Sequence, residues 1–215
     1  MNPDNPPVTD TTETDAETRK NQRHQERMAR RKAVIDAGIA QASQDKGLVV
    51  ILTGNGKGKS SSAFGMVGRS LGHGLRVGVC QFIKSRTDTG EEAFFSRQPG
   101  VEWHVLGDGF TWDTQDRQQD IATSKRGWTV AQRMLADPGM DVVVLDELTY
   151  LLNYGYLDTA AVLADIRARP PAQHVIITGR AASPALCELA DTIAEIGDVK
   201  HAYRAGIQAQ QGIDL

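Results

Sequence analysis

The sequence predicts an α/β fold in which a mostly parallel sheet carries helices on both faces and follows an N-terminal helix. Short apolar segments alternate with helix-length segments from residue 47 onward. The apolar segments are continuous runs of Val, Ile and Leu, which is typical of strands that are buried on both faces. The first of these runs leads into a glycine-rich turn that opens a helix.

The region 47–215 is predicted to form one domain without an internal repeat. Its apolar runs predict strands at 48–52, 76–83, 101–105, 142–146, 175–178 and 192–196. The segments between them predict helices at 59–71, 116–136, 159–167 and 184–190. This order gives the strand–helix–strand rhythm of a parallel sheet.

Two further segments precede that domain. Residues 1–17 are polar and proline-containing, so we expect a disordered tail. Residues 18–46 predict a basic helix, because positions 19 to 32 contain seven Lys or Arg residues and a single acid, Glu26. Met28, Ile35, Ile39 and Ala42 form one apolar stripe on it. The helix could be a solvated element packed on the domain or could lie over an anionic ligand, whereas an RNA-binding arm has no other support.

Composition excludes several classes of protein. The net charge of −3 and the 24% of charged residues are those of a soluble globular chain. The apolar runs are too short to cross a membrane, and the polar N-terminus does not resemble a secretory signal. Cys80 and Cys187 are too few for a disulfide scaffold. We therefore expect a reduced, cytoplasmic protein without a membrane or general nucleic-acid partner.

A phosphate-binding loop follows the first predicted strand. Glycines allow backbone N–H groups to converge on phosphate oxygens, and the helix that follows adds free N–H groups and a positive dipole end. Lys59 would reach phosphate oxygens, and the Ser60 hydroxyl would bind Mg²⁺. The loop departs from the usual spacing, since Thr53 stands where a glycine is expected and Lys57 adds a cation. The predicted phosphate-binding residues are Gly54, Asn55, Gly56, Lys57, Gly58, Lys59, Ser60 and Ser61.

An acidic segment further along the chain supports the assignment of the phosphate-binding loop. Residues 141–145 read as a buried strand that ends in Asp146 and Glu147. Such an acid holds Mg²⁺ (or Mn²⁺) in phosphate-loop proteins, although spacing does not decide which carboxylate lies closer. The alternative is an acid pair that favours a helix N-terminus. Glu147 could also orient water and Arg180 could respond to the phosphate state, so hydrolysis stays open. The motifs predict a P-loop NTPase fold of RecA-like type.

Beyond these motifs, the chain resembles the ATP:corrinoid adenosyltransferases of the CobA/CobO/BtuR type over about residues 18–215. The loop ends in Ser60-Ser61 where the family usually has two threonines, which preserves a hydroxyl, and residues 85–89 are less family-like. The resemblance rests on the shortened loop at 54–59 and on Gln81-Phe82-Ile83-Lys84, Gly109-Phe110-Thr111-Trp112, Met134-Leu135-Ala136-Asp137-Pro138, Val144-Leu145-Asp146-Glu147-Leu148-Thr149-Tyr150, Val175-Ile176-Ile177-Thr178-Gly179-Arg180, Val199-Lys200-His201-Ala202 and Gly212-Ile213-Asp214.

The resemblance implies an activity and its partners. The 5′-deoxyadenosyl group of ATP would pass to the Co(I) of a reduced corrinoid, with tripolyphosphate as leaving group, in adenosylcobalamin biosynthesis or salvage. Co(I) is the nucleophile, so no protein nucleophile is needed, and the five histidines show no metal or triad spacing. It further implies Mg²⁺, a homodimer and an electron-donating flavoprotein such as a flavodoxin. The alternatives are a P-loop ATPase or kinase and an ATP-dependent nucleic-acid-binding module.

Four residues are assigned catalytic roles: Lys59 and Glu147 at the triphosphate, and Phe110 and Trp112 at the corrinoid. The two aromatics stand in a glycine-containing loop after the third strand, where they could cover a flat apolar ligand. The resemblance implies that they displace the lower cobalt ligand, which makes Co(II) easier to reduce. The alternative is a loop that plugs the core. The resemblance also implies that the helix at 18–46 covers the active site.

Overall fold

The structure, a computed structural model, describes residues 11–83, 89–107 and 116–214, with side chains described from residue 16. The chain divides into two compact units, Met1–Asp45 and Lys46–Leu215. No helix among the described residues has the length and apolar character needed to cross a membrane.

The first unit contains one long helix, α1, at Thr11–Gln41. The helix begins inside the segment 1–17 for which the sequence predicts a disordered tail, and residues 1–10 lie outside the described part. The intrinsic helix propensity of its residues explains why α1 is helical. Ala, Glu, Gln, Lys and Arg dominate the helix, and these residues favour helix even where no apolar surface is buried. An exposed ion pair between Lys32 and Asp36, four residues apart, adds a small contribution.

The second unit follows the predicted alternation closely, and all six predicted strands are present. Two six-residue helices and one 3₁₀ turn were not predicted. In chain order the elements are β1 (Val49–Thr53), α2 (Lys59–Gly72), β2 (Val77–Gln81), α3 (Gly90–Phe95), β3 (Val101–Val105), α4 (Arg117–Ala136), β4 (Val142–Asp146), α5 (Leu148–Asn153), α6 (Thr159–Arg167), β5 (His174–Thr178), α7 (Pro184–Leu189), β6 (Thr192–Glu195) and a 3₁₀ helix (Ala202–Ala205).

The six strands form one fully parallel sheet in the order β3-β2-β4-β5-β1-β6. Strand β5 lies between β1 and β4, since Ile176 pairs with Val50 on one side and with Val144 on the other. The carboxyl ends of these three strands therefore meet at one edge of the sheet. Ligands of open parallel sheets bind at that edge.

Apolar side chains bury both faces of the four central strands β1, β2, β4 and β5, as the sequence predicted. The prediction was wrong for β3, which is half-buried, and for β6, which is exposed, because each lies at an edge of the sheet. Along β4, Val143 and Leu145 face one core and Val142 and Val144 face the other, which is the alternation of a pleated strand. The first core contains the buried side chains of α4 and α6, and the second contains those of α2. Helices on both faces explain why these strands contain so few polar residues.

One buried amide connects the end of α4 to the sheet. Gln173 precedes β5 and is 2% exposed. Its Nε2 donates to the backbone oxygens of Met134 at 3.1 Å, Asp137 at 3.2 Å and Met140 at 3.0 Å. The amide thus satisfies carbonyl groups at the C-terminal end of α4 and in the turn that leads to β4.

We expect Gln173→Glu to lower the free energy of unfolding by about 2 to 3 kcal/mol, because a carboxylate of the same size would face these carbonyls without a donor. Urea denaturation monitored by circular dichroism measures the loss. Gln119→Glu, an exposed change on α4, is the matched control and should stay within about 0.5 kcal/mol. Equal stability of the two variants would contradict the role assigned to Gln173.

Candidate functional site

The loop between β1 and α2 lies directly against the backbone that follows β6. The Gly56 N–H donates to the Ile196 oxygen at 2.7 Å. A Cβ at Gly56 would lie 2.4 Å from the Gly197 oxygen, and one at Gly54 would lie 2.5 Å from the Ile196 oxygen. Gly54 and Gly58 also have φ values of +98° and +120°. The glycines are therefore required by close approach and by backbone conformation.

Helix α2 begins at Lys59, and no side chain caps its N-terminus at Gly58. The N–H groups of its first turn and the loop before it border a cavity of about 280 Å³, which we call the phosphate-loop cavity. Residues 55–61 line one side of it. This arrangement of uncapped N–H groups at a positive dipole end suits a phosphate group.

Lys59 is the buried cation of the loop. It is 7% exposed, and its Nζ donates to the Gly56 oxygen at 2.8 Å. Burial lowers the pKa of Lys59, and Arg180 lowers it further, whereas Glu147 and Asp146 act in the opposite direction. A carbonyl partner of this kind can be exchanged for phosphate oxygens, whose negative charge would restore the stability of the ammonium.

The extra cation that the sequence indicated, Lys57, is paired with the C-terminal segment. Its Nζ lies 2.9 Å from Oδ1 of Asp214. Oδ2 of Asp214 accepts from the Gln210 N–H at 2.9 Å. This N–H and then Lys57 hold the pKa of Asp214 below its usual value. The loop is thus tied to residues 210–214 as well as to residues 196–197.

Asp146 is the last residue of β4 and does not line the phosphate-loop cavity. It is fully buried, and both of its oxygens accept hydrogen bonds. Oδ1 accepts from the Thr178 hydroxyl at 2.7 Å, and Oδ2 accepts from Nε2 of Gln81 at 3.2 Å. Trp103 Nε1 in turn donates to Oε1 of Gln81 at 3.1 Å. Asp146 is therefore part of a network that joins the ends of β2, β4 and β5.

Glu147, by contrast, lines the phosphate-loop cavity. Its φ of +63° is a left-handed conformation that a non-glycine residue rarely adopts. The backbone is held there because the Glu147 N–H donates to the Thr178 hydroxyl at 2.9 Å. Thr178 thus bonds to both acidic residues. Sequence spacing left the two carboxylates equivalent, and the structure separates them into a cavity residue and a buried residue.

Arg180 borders the same cavity from the end of β5. The turn that carries it is tightly packed, since a Cβ at Gly179 would lie 2.0 Å from Oγ1 of Thr149. Nδ2 of Asn153 donates to the Arg180 oxygen at 3.3 Å and to the Ala181 oxygen at 3.1 Å. These contacts from α5 fix the backbone of a third basic residue at this cavity, after Lys57 and Lys59.

A larger cavity of about 690 Å³, here called the C-terminal cavity, adjoins the first and shares three lining residues with it: Asn55, Arg180 and His201. Several of its other lining residues were not predicted as site residues. In the sequence, the nearest signal was the family motif at 199–202, to which no function was assigned. These residues are Glu195, Asp198, Tyr203 and Arg204.

The structure brings together most of the predicted site. Residues 55–61 and Glu147 line the phosphate-loop cavity, Gly54 packs on the Ile196 backbone, and Asp146 is buried next to Glu147. Phe110 and Trp112 lie outside the described residues. Within the described ranges, no group of three or more His, Cys, Asp or Glu side chains is arranged to hold a metal ion.

Comparison with known proteins identifies the family. A sequence model described as ATP:corrinoid adenosyltransferase BtuR/CobO/CobP matches residues 45–215. A second model, described as cob(I)alamin adenosyltransferase N terminal, matches residues 11–39. Together they span both units of the chain.

Individual relatives agree with this assignment. The chain is 59% identical over 197 residues to a corrinoid adenosyltransferase of Pseudomonas aeruginosa, which covers 91% of this chain and 97% of that protein. It is 48% identical over 193 residues to those of Escherichia coli K12 and Salmonella typhimurium, which covers 90% of this chain and 98% of each relative. The chain therefore belongs to the ATP:corrinoid adenosyltransferase BtuR/CobO/CobP family.

Proposed function

We propose that the chain transfers the 5′-deoxyadenosyl group of ATP to the Co(I) centre of a reduced corrinoid, in the biosynthesis or salvage of adenosylcobalamin. The observation that carries the proposal is the family match over residues 45–215, which includes the entire phosphate loop and both acidic residues. The phosphate-loop cavity, with a buried lysine and an uncapped helix N-terminus, supplies the site for the triphosphate.

The reaction is a displacement at the ribose C5′ carbon. The electron pair of Co(I) forms the Co–C bond, the C5′–O bond breaks, and its electrons leave with tripolyphosphate. The chain's own residues have two tasks, to hold C5′ in line and to stabilise the negative charge of the leaving group. Lys59 and the N–H groups of residues 55–61 serve the second task.

Mg²⁺, or Mn²⁺ in its place, suits the oxygen donors of this site. Ser60 and Glu147 both line the phosphate-loop cavity. A hydroxyl, a carboxylate and phosphate oxygens are the hard ligands that Mg²⁺ prefers, and such sites commonly take one or two ligands from the protein. The ion would add positive charge at the triphosphate. Asp146, whose oxygens bond to Thr178 and Gln81, is better suited to orienting Glu147 than to direct binding.

The setting that we propose is a homodimer in the cytoplasm, supplied with electrons by a flavoprotein such as a flavodoxin. Neither nucleic acid nor a membrane is a partner. The net charge of −3 and the short apolar runs support the last statement. For the helix predicted at 18–46, the proposed role is to cover the active site, which its basic residues support.

Removal of the buried cation should impair transfer strongly. We expect Lys59→Met to lower kcat/KM by about 10²- to 10³-fold, because one charge-stabilising group at the leaving triphosphate is lost. The assay quantifies the Co–C bond by spectroscopy and tripolyphosphate by chromatography. Lys125→Met, an exposed change on α4, is the control and should leave both products unchanged. Formation of ADP and phosphate instead would identify an ATPase or kinase and contradict the proposal.

Thr178 should act as a positioning residue. Thr178→Val removes the hydroxyl that holds both Asp146 and the Glu147 backbone, so we expect about a 10- to 100-fold loss of activity and a weaker apparent affinity for Mg²⁺. Thr178→Ser keeps the hydroxyl and should restore the Mg²⁺ dependence. A Mg²⁺ titration at saturating ATP measures this. Equal Mg²⁺ curves for the valine and serine variants would contradict the assignment.

The two aromatics outside the described residues retain their predicted role at the cobalt. Phe110→Ala and Trp112→Ala should impair turnover that starts from Co(II) corrinoid with a flavoprotein reductant, because the lower ligand would no longer be displaced. Turnover from chemically reduced Co(I) should change much less. Parallel assays from the two cobalt states test this, and equal losses in both would show that the residues serve another purpose.

A further inference from the structure

One acid in the phosphate-loop cavity has no evident task beside a polyphosphate. Three carboxylates line this cavity, those of Glu91, Glu147 and Asp214. Each of them repels an anionic ligand unless a cation lies between the two. Glu91 stands in the first turn of α3, where an acid stabilises the helix, and Glu147 suits the Mg²⁺ that accompanies the triphosphate. Asp214 is therefore the carboxylate whose presence needs another explanation.

Asp214 lies in a segment that is loosely attached to the rest of the second unit. We call residues 207–214 the C-terminal strap, and each of them is exposed. The Ile207 N–H donates to the Ala202 oxygen at 3.2 Å, which fixes the start of the strap on the 3₁₀ helix. Within the described part of the chain, the hydrogen bonds of residues 208–214 stay inside the strap, apart from the ion pair of Asp214 with Lys57. That ion pair thus links the far end of the strap to the phosphate loop.

Two features favour movement of the strap away from the cavity. Gly206 has a φ of +71°, and a Cβ placed there would meet nothing within 4 Å, so the chain has room to turn where the strap begins. Ile213 lines the cavity beside Asp214, but its side chain is apolar and 71% exposed, and it offers phosphate no donor. The side chains at the end of the strap therefore occupy the cavity without adding a group that would bind a triphosphate.

The ion pair itself is easily exchanged. Nζ of Lys57 lies 2.9 Å from Oδ1 of Asp214, and the two side chains are 45% and 23% exposed. Exposed ion pairs contribute little to stability, because water and salt screen them. A polyphosphate brings several negative charges to the same ammonium, whereas Asp214 brings one. The ligand would prevail in this competition, and its charge would then repel the displaced carboxylate.

From these features we propose that Asp214 competes with bound polyphosphate for Lys57, and that binding of a polyphosphate releases the C-terminal strap from the phosphate loop. The inference rests on the proposed function, because the polyphosphate is the triphosphate of ATP before transfer and tripolyphosphate afterwards. Asp214 lowers the affinity for both. It thereby keeps tripolyphosphate from remaining bound after the adenosyl group has left.

A zero-length cross-linker reads out the ion pair directly, since it joins a carboxylate to an amine only where the two are in contact. We expect a carbodiimide to form a Lys57–Asp214 amide that peptide mass spectrometry detects. Saturating inorganic tripolyphosphate should lower its yield by about 5-fold or more. The ion pair of Lys46 with Asp191, which does not line this cavity, is the internal control for screening by salt, and its cross-link should not change. An unchanged yield of the Lys57–Asp214 amide at saturation would overturn the proposal.

Equilibrium binding of inorganic tripolyphosphate is a second test, in which a competitor and a ligand-binding residue give opposite signs. Asp214→Asn removes the competitor, so we expect binding to tighten by about 3-fold or more. In a Lys57→Met background the same substitution should change the affinity less, because the contested ammonium is gone. Glu188→Gln, an exposed change on α7, removes one negative charge elsewhere and should leave the affinity within about 2-fold.

Weaker binding by Asp214→Asn would make Asp214 part of the binding site and overturn the proposal. An equal effect in both backgrounds would also overturn it, because plain repulsion would then explain the result without competition for Lys57. The cross-linking test uses the unmodified chain, so it decides the matter even if a variant does not fold. If both tests give the expected results but no adenosyl group is transferred, the proposed function fails while the role of Asp214 stands. Absence of tripolyphosphate binding to the unmodified chain would contradict both.

Discussion

The contact between the phosphate loop and the backbone after β6 determines the shape of the site. Gly54 and Gly56 lie so close to Ile196 and Gly197 that no side chain fits between them. Strand β6 pairs with β1, so the segment that follows β6 is delivered to the point where the loop begins. This contact sets the loop's curvature and joins it to the C-terminal residues that form the larger cavity.

The same arrangement brings basic and acidic side chains together around the phosphate-loop cavity. Three basic side chains and three carboxylates line the phosphate-loop cavity. Each of the two loop lysines already has a partner: Lys59 bonds to a loop carbonyl and Lys57 to Asp214. Burial destabilises the Lys59 ammonium, as its lowered pKa indicates. A triphosphate would relieve that destabilisation, so the free site is arranged to favour an anionic ligand. Further acids lie at the ends of β4 and β6.

Hydrogen bonds from neighbouring strands hold Asp146 and the Glu147 backbone in place. Thr178 at the end of β5 donates to Asp146 and accepts from the Glu147 N–H, and Gln81 at the end of β2 donates to Asp146. The parallel strand order makes these contacts possible, because β4 lies between β2 and β5. A strained backbone at Glu147 is thus maintained by hydrogen bonds from a rigid sheet.

The sequence by itself determined the α/β class and the strands, because continuous apolar runs are local patterns with a direct physical meaning. It also predicted a phosphate-binding loop at 54–61, and that Asp146 and Glu147 belong to the site. Only the tertiary structure separated the two acids, paired Lys57 with Asp214 and brought Asp198 and Tyr203 beside the loop. Those relations join residues far apart in the chain, and strand order and close backbone packing, which no local pattern encodes, decide them.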